Sequence, residues 1–260
     1  MEGDCKMSLK VWDVYQWIND IAPFETAEKW DNSGLLCGSA QNEVSGIFCA
    51  LDLTNAVLDE AVQRGANLIV THHPILFSGR KNLFEDSAEG KLLCRLVRMN
   101  MNLIAAHTNY DKAENGVNFC LARALGVTNV ASVPGDEDGY LRIGDHAPLT
   151  LSVFADEAAK ALGDVVRVYG DRDKIVRRVA LCGGAGGEFA PIALKAGADV
   201  YVTGEMRYHD SVDLAAEGLA SLHCGHDATE RIAIKPLAEG LQNRINELQY
   251  DVYVNSNMGV

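Results

Sequence analysis

Residues 61–71 read AVQRGANLIVT, residues 193–203 read ALKAGADVYVT, and five of the eleven positions are identical. Each stretch predicts the end of a helix, a glycine that terminates it in the left-handed conformation, and a buried strand. The first copy runs into His72-His73 and the second into Gly204-Glu205. The repeat favours two related α/β halves; the alternative is chance, because helix–glycine–strand joints are common.

The rest of the chain alternates between strand and helix patterns in the same way. Strands are predicted at 47–51, 67–71, 103–106, 149–154, 164–169, 176–182, 199–203 and 219–223. Helices are predicted at 11–21, 54–65, 88–100, 115–125, 188–196, 209–217 and 229–248, the last with a kink or break at Pro236. Strands separated by helices of this length indicate βαβ units and a mostly parallel sheet. The less regular segment at 127–148 predicts a junction between domains or subdomains.

Composition and charge exclude several classes of protein. The 260 residues are 48% hydrophobic and 23% charged, which is typical of a globular protein with a sizeable core. The formal net charge of -13 argues against broad contact with a nucleic-acid backbone, since that affinity comes from Lys and Arg. A local basic pocket for one small anionic ligand is compatible with this charge.

Seven cysteines are scattered along the chain, and none forms a Cys-x-x-Cys pair. This pattern disfavours a disulfide scaffold or a zinc ribbon and indicates reduced thiols, so we expect a cytoplasmic protein. No apolar run reaches the length of a transmembrane helix, and Met1 to Lys10 has no signal-peptide pattern. We therefore expect no association with a membrane.

Histidines and carboxylates follow three of the predicted strands. The candidate metal ligands are His72, His73, His107, Asp111, His226 and Glu230. In open α/β sheets ligands bind at the carboxyl ends of the strands, so three separate segments would deliver these groups to one edge. A lone histidine on an apolar strand is usually a hydrogen-bonded core residue. Four histidines at strand ends, two of them with a carboxylate four residues on, are hard to reach by chance.

The mixed nitrogen and oxygen set is larger than one ion needs, which suggests two divalent ions sharing a bridging carboxylate, Asp111 or Glu230. Imidazole and carboxylate suit Zn, Fe, Mn, Co or Ni, and the lack of cysteine in these segments disfavours an iron–sulfur site. Two ions roughly 3.5–4 Å apart would lower the pKa of a shared water and supply hydroxide near neutral pH. That chemistry suits hydrolysis of a C–N or P–O bond.

Two further groups follow the strand of the second copy. Glu205 and His209 are candidates for a general acid/base pair, or for groups that orient the metal ligands. The alternative interpretation is a helix N-terminus with a capping carboxylate.

The glycine-rich segment at 183–187 has two interpretations of equal weight. It is suited to cradle a phosphate at a helix N-terminus, and it is equally suited to form a tight turn from a strand into a helix. Arg80, Lys81 and Arg207 are candidates to hold an anionic tail, although single basic residues near loops are usually just solvated.

Five motifs together resemble the Nif-three-like family of dinuclear metal-centre hexameric proteins, also called GTP cyclohydrolase I type 2 homologues. The motifs are Trp30-Asp31-Asn32-Ser33-Gly34-Leu35, Thr71-His72-His73-Pro74, His107-x-x-x-Asp111, Thr203-Gly204-Glu205 with His209, and Gly225-His226-x-x-x-Glu230. They span nearly the whole chain. Asp227 departs from the family pattern, in which an aromatic residue is common at this position.

The resemblance implies two intertwined, similar α/β domains, 1–126 plus 230–260 and 127–229. It implies a ring-like homohexamer whose metal sites face an internal cavity, and a metal shell built from the six candidate ligands. Some family members are described as GTP cyclohydrolases, which implies hydrolysis at C8 of GTP with His209 or Glu205 moving protons. A non-catalytic protein for metal storage, metal delivery or regulation is the alternative, and a metal-dependent phosphoesterase is a third option.

Overall fold

Buried strands alternate with helices along most of the chain, and the predicted α/β class is confirmed. The computed structural model describes residues 8–257. The strands are β1 (Gly34–Cys37), β2 (Ile47–Ala50), β3 (Leu68–Thr71), β4 (Asn102–Ala105), β5 (Thr128–Ser132), β6 (Arg142–Thr150), β7 (Arg167–Tyr169), β8 (Ile175–Cys182), β9 (Val200–Thr203), β10 (Ala220–His223) and β11 (Val254–Ser256). The helices are α1 (Val11–Ile21), α2 (Asn55–Gln63), α3 (Ala88–Arg98), α4 (Thr108–Lys112), α5 (Val117–Ala124), α6 (Leu151–Leu162), α7 (Ala190–Lys195), α8 (Tyr208–Ala216), α9 (His226–Glu230) and α10 (Ile234–Glu247). Within the described range, none of the helices combines the length and the apolar character that a membrane span requires.

The first compact unit combines two separate parts of the chain, the residues up to 113 and those from 234 onward. Its sheet has the order β1-β4-β3-β2-β11, and every pairing is parallel except that of β1 with β4. On one face of the sheet, Phe48, Ile69 and Leu103 belong to a buried cluster with residues of α2 and α3. The mostly parallel sheet that the sequence predicts is present in this unit.

The second compact unit spans residues 114–233 and includes α5, which the sequence analysis assigns to the first domain. Its sheet has the order β5-β6-β8-β9-β10-β7, in which only β8–β9 and β9–β10 are parallel. This sheet is therefore mixed: the hairpin strands β5 and β6 must run antiparallel, and β6–β8 and β10–β7 are antiparallel as well. One face packs against Phe154 of α6 and the other against Leu214 of α8, so helices cover both faces.

The two units share one structural pattern, β2-α2-β3-α3-β4 in the first and β8-α7-β9-α8-β10 in the second. In both copies of the repeated sequence the helix ends at a glycine with positive φ, +73° at Gly65 and +76° at Gly197. The amide after each glycine donates to the carbonyl five residues back, at 2.9 Å and 3.1 Å. This hydrogen bond is the one that closes a Schellman motif, so the same sequence specifies the same joint twice.

The predicted strand at 149–154 is wrong, because α6 begins inside it at Leu151. The Thr150 hydroxyl caps the helix by accepting the N–H of Val153 at 3.4 Å. Five buried side chains recur at the three- and four-residue spacing of a helix: Leu151, Phe154, Ala155, Ala158 and Leu162. The β-branched and aromatic residues in Leu-Ser-Val-Phe favour a strand locally, but the helical spacing of the buried positions prevails.

The predicted helix at 229–248 is two helices, α9 and α10, separated by a 3₁₀ turn at Arg231–Ala233. Pro236 is the third residue of α10, where its missing N–H would have no partner within the helix. The proline therefore belongs to the first turn of a new helix. The chain passes from the second unit to the first at the same point, between Ala233 and Ile234.

Candidate metal centre

Three histidines of the first unit meet at the carboxyl ends of two adjacent parallel strands. Thr71 of β3 and Ala105 of β4 are register partners, so His72 and His73 leave the sheet beside His107. One ligand atom of each histidine lies within 4.8 Å of those of the other two. The parallel pairing thus brings together three predicted ligands that are far apart in the sequence.

Each of the three rings is held by a hydrogen bond at Nδ1. His73 Nδ1 lies 2.8 Å from Oδ1 of Asp52, and His107 Nδ1 lies 2.8 Å from Oδ1 of Asp31. His72 Nδ1 lies 2.8 Å from a backbone carbonyl oxygen just beyond β4. Carbonyl and carboxylate oxygens accept hydrogen bonds, so Nδ1 carries the proton in each ring and the lone pair of the neutral imidazole lies on Nε2. A metal ion binds imidazole through such a lone pair.

Asp111 joins the histidines from the short helix α4. His107 is the N-cap of this helix, and Asp111 follows one turn later on the same side. Asp111 Oδ1 lies 3.5 Å from His72 Nε2. The first unit therefore gathers four of the six predicted ligands, three imidazoles and one carboxylate.

Asp31 is a further residue of this site, and its position in the motif Trp30–Leu35 does not by itself predict a role there. Its Oδ1 contacts His107, and its Oδ2 accepts the hydroxyls of Ser33 at 2.8 Å and Thr108 at 2.7 Å. Burial alone would raise the pKa of Asp31, but the hydrogen bonds with these three residues outweigh it and hold the pKa well below the usual 3.8. The contact depends on the antiparallel pairing of Gly34 in β1 with β4, which local sequence does not reveal.

His226 and Glu230 form a pair within the second unit. They lie one turn apart on α9, which follows Gly225 in a positive-φ conformation of 85°. His226 Nε2 is 3.2 Å from Glu230 Oε1, and the Glu230 side chain is only 5% exposed. The histidine–carboxylate spacing of α4 recurs here, displaced by one residue: His107 is an N-cap, whereas His226 is the first helical residue.

Glu205 and His209 lie in different surroundings. Glu205 Oε1 is 3.4 Å from His226 Nδ1, so this carboxylate contacts a predicted ligand. His209 is exposed in the first turn of α8, with its ring centroid 5.3 Å from that of Tyr208. Among residues 8–257, none of the hydrogen bonds or ion pairs described joins His209 to Glu205 or His226.

An open groove of about 520 Å³ adjoins Glu205 in the second unit. It is lined by Ala185, Gly187, Glu188, Glu205, Met206, Arg207 and Asp210. The groove therefore runs between the glycine-rich segment and the start of α8.

The glycine-rich segment packs directly against Glu230. Gly184 has a φ of 59°, and a Cβ atom on it would lie 2.2 Å from Glu230 Oε1. The Gly184 N–H donates to Thr229 Oγ1 at 2.9 Å, and its carbonyl accepts the N–H of Glu205 at 2.9 Å. Only glycine fits so close an approach. The geometry favours the tight-turn interpretation of this segment over the phosphate cradle.

The basic residues proposed for an anionic tail are mostly paired. Arg80 forms an ion pair with Glu89, and Arg207 Nε lies 2.8 Å from Asp210 Oδ2. Lys81 is exposed. An anionic group would have to compete with a carboxylate for either arginine.

Comparisons with known proteins identify relatives of this chain. The model of the family described as Duf34/NIF3 (NGG1p interacting factor 3) matches residues 9–258. A Clostridium acetobutylicum protein named GTP cyclohydrolase 1 type 2 homolog is 32% identical over 249 residues, which cover 93% of each chain. A Streptomyces coelicolor protein of the same name is 34% identical over 229 residues, covering 84% of this chain and 80% of that protein.

The fold is shared with solved structures. The crystal structure of the Staphylococcus aureus hypothetical protein SA1388 matches with a TM-score of 0.91 at 28% identity, covering 96% of this chain and 97% of that one. The structure of reduced HcgD from Methanocaldococcus jannaschii matches with a TM-score of 0.80 at 26% identity, covering 96% and 98%. The family match extends over nearly the whole chain, and the resemblance seen in the sequence is confirmed: this protein belongs to the DUF34/NIF3 family.

Proposed function

We propose that this protein is a metal-dependent hydrolase with a dinuclear centre, acting on GTP or a related nucleotide or heterocycle. The proposed ligands are His72, His73, His107, Asp111, His226 and Glu230. Divalent ions bound by these groups would activate water for hydrolysis near neutral pH.

The observation that carries the proposal is the set of three Nδ1 hydrogen bonds. In His72, His73 and His107 an oxygen acceptor lies 2.8 Å from Nδ1, which places the lone pair of the neutral ring on Nε2. Metal-binding histidines almost always donate their second ring nitrogen to a carboxylate or a carbonyl in this way. Three such rings with ligand atoms within 4.8 Å of one another are more than hydrogen-bonded core histidines require.

The second unit supports the proposal through its own donor pair. His226 and Glu230 add an imidazole and a carboxylate, so the whole set has more donors than one four-coordinate ion takes. We assign Glu205 the task of orienting His226, because their side chains are 3.4 Å apart. His209 is exposed in α8 and is the candidate for carrying protons to and from solvent.

The substrate class is taken from relatives. The Clostridium acetobutylicum and Streptomyces coelicolor proteins carry the name GTP cyclohydrolase 1 type 2 homolog, and opening of a guanine ring is a hydrolysis of the kind proposed here.

We also propose a homohexamer, by resemblance to the family. Sedimentation velocity on the untagged protein should give a single species of six chains. A single monomeric species across the micromolar range would contradict the hexamer without affecting the metal site.

Elemental analysis of untagged protein, followed by an assay of formate release from GTP, tests the function. We expect about two ions per chain and metal-dependent formate production. Glu230→Ala and His73→Ala should lose turnover, whereas His146→Ala, which removes a histidine outside the proposed set, should retain it.

Each alternative has its own result. Two ions per chain with no formate and no phosphate release would favour storage, delivery or regulation of metal. Phosphate without formate would identify a phosphoesterase. Full metal content in a Glu230→Ala/His226→Ala double variant would show that the ligand assignment is wrong.

A further inference from the structure

Two large aromatic side chains of the first unit are exposed next to the histidine cluster. Trp30 is 59% exposed and Phe77 is 52% exposed. Their ring centroids are 5.8 Å apart, and the rings are tilted by 58°. Exposing so much adjacent apolar surface is unfavourable in water, and such surfaces commonly mark a binding site.

The loops that carry these rings are held in place although the rings face solvent. The Asn32 side chain donates from Nδ2 to the carbonyl oxygen of Leu76 at 2.6 Å, which ties the Trp30 loop to the Phe77 loop. Asp31, next to Trp30, is bonded to His107 and Thr108. The pair is therefore preorganised, and a ligand would not have to order it.

Both rings border His107. The His107 centroid is 6.3 Å from that of Trp30 and 6.2 Å from that of Phe77, with interplanar angles of 77° and 75°. Phe77 also lines a cavity of about 350 Å³, together with Ile75, Ser78, Gly79, Arg80 and Glu89. This volume lies within the range of small-molecule sites.

We propose that Trp30 and Phe77 bind the planar heteroaromatic ring of the substrate by stacking, beside His107. The inference rests on the proposed function and adds the residues that select the substrate. Because the two rings are tilted by 58°, with centroids 5.8 Å apart, a flat ligand ring cannot lie parallel to both: it stacks on the exposed face of one ring and contacts the other at an edge. Stacking recognises any flat π-system. We therefore expect this site to prefer ligands with a planar ring and to tolerate different substituents on that ring.

Isothermal titration of the untagged, metal-containing protein tests this inference, with guanosine as a ring without phosphates and inorganic tripolyphosphate as phosphates without a ring. Trp30→Ala and Phe77→Ala should each weaken guanosine binding about 5- to 150-fold, the range expected for one stacked base. Trp30→Phe keeps a stacking face and should retain most of the affinity. Tyr253→Ala is the control, because it removes another exposed aromatic ring, 71% exposed, from the same unit.

Guanosine affinity that is unchanged in Trp30→Ala and Phe77→Ala, or absent in the wild type, overturns the inference. So does a Trp30→Ala protein that binds guanosine normally but sediments as a smaller assembly, because the rings would then cover a second copy of the chain. Neither result affects the proposed hydrolase activity, which is tested separately by metal content and product release. Conversely, the protein could bind guanosine through Trp30 and Phe77 and yet show no turnover. That result would support the inference and contradict the proposed hydrolase activity.

Discussion

At the scale of single residues, the site is defined as much by the partners of the histidines as by the histidines themselves. Asp31 and Asp52 accept hydrogen bonds from His107 and His73, so each carboxylate fixes which ring nitrogen is protonated. Asp31 is held in place at both oxygens, since it also accepts bonds from Ser33 and Thr108. Removing the charge of Asp31 should therefore weaken the binding of a metal ion at His107.

Asp31→Asn should weaken metal binding about 10- to 100-fold, because an amide no longer favours the Nδ1–H tautomer of His107. Competition with a fluorescent chelator measures the affinity. Asp59→Asn is the matched control: Asp59 pairs with Arg95 in the same unit and belongs to neither the histidine cluster nor its hydrogen-bond partners. Equal metal affinities in the two variants would remove Asp31 from the site.

At the scale of elements, short connections at strand ends place the functional groups. The glycine-rich segment after β8 is a clear case, because Gly184 leaves no space between its own backbone and Glu230. Gly197, at the end of α7, also has positive φ, but a Cβ there would meet nothing within 4 Å. The two glycines are therefore needed for different reasons.

Gly184→Ala and Gly197→Ala should both lose stability, by about 1–3 kcal/mol each from the positive-φ backbone. Only Gly184→Ala should also lose metal affinity, because its Cβ would displace the Glu230 carboxylate. Thermal unfolding and metal titration on both variants separate the two effects. Normal metal binding by a folded Gly184→Ala protein would contradict the proposed contribution of this segment.

Helix α6 provides a second test at this scale. Phe154 is 1% exposed and Val153 is 46% exposed, although they are neighbours in the chain. Phe154→Ala should cost about 3–5 kcal/mol of unfolding free energy, while Val153→Ala should be nearly neutral. Urea unfolding measures both values. Similar losses for the two variants would be inconsistent with the helical packing of this segment.

At the scale of the whole molecule, the chain forms two units with the same strand–helix pattern but unequal sets of proposed ligands. The first unit contributes three imidazoles and Asp111, whereas the second contributes His226 and Glu230. After the repeated strand, the first copy continues into His72-His73 and the second into Gly204-Glu205. The similar halves therefore differ at the positions to which the proposed function assigns the chemistry.

Metal removal should destabilise the whole protein, because ions that bind only the folded state stabilise it by mass action. At a free metal concentration one hundred times the Kd, the stabilisation is about 2.7 kcal/mol. Chelator should lower the melting temperature, and added Zn or Mn should restore it. The Glu230→Ala/His226→Ala variant should respond much less, and a wild-type melting temperature unaffected by chelator would argue against a tightly bound centre.

Most of the helices and strands could be predicted from local sequence patterns. The strands preceding His72, His107 and Gly204 are short, mostly apolar and fully buried, and a glycine marks the joint before two of them. The prediction was wrong where two patterns overlap. At 149–154, side chains that favour a strand stand at the start of helix α6. The prediction also failed at the second sheet, because strand direction depends on how separate segments pair.

The α/β class, the repeated helix–glycine–strand joint and the residue types that suit a divalent metal can all be read from local sequence. These are local properties, since capping, hydrophobic spacing and ligand chemistry are set by residues close together in the chain. Three features are visible only in the folded chain: His72, His73 and His107 meet, Asp52 and Asp31 accept hydrogen bonds from His73 and His107, and Gly184 packs against Glu230. Those contacts join segments separated by tens of residues, which come together only when the strands pair and the loops and helices that adjoin them pack.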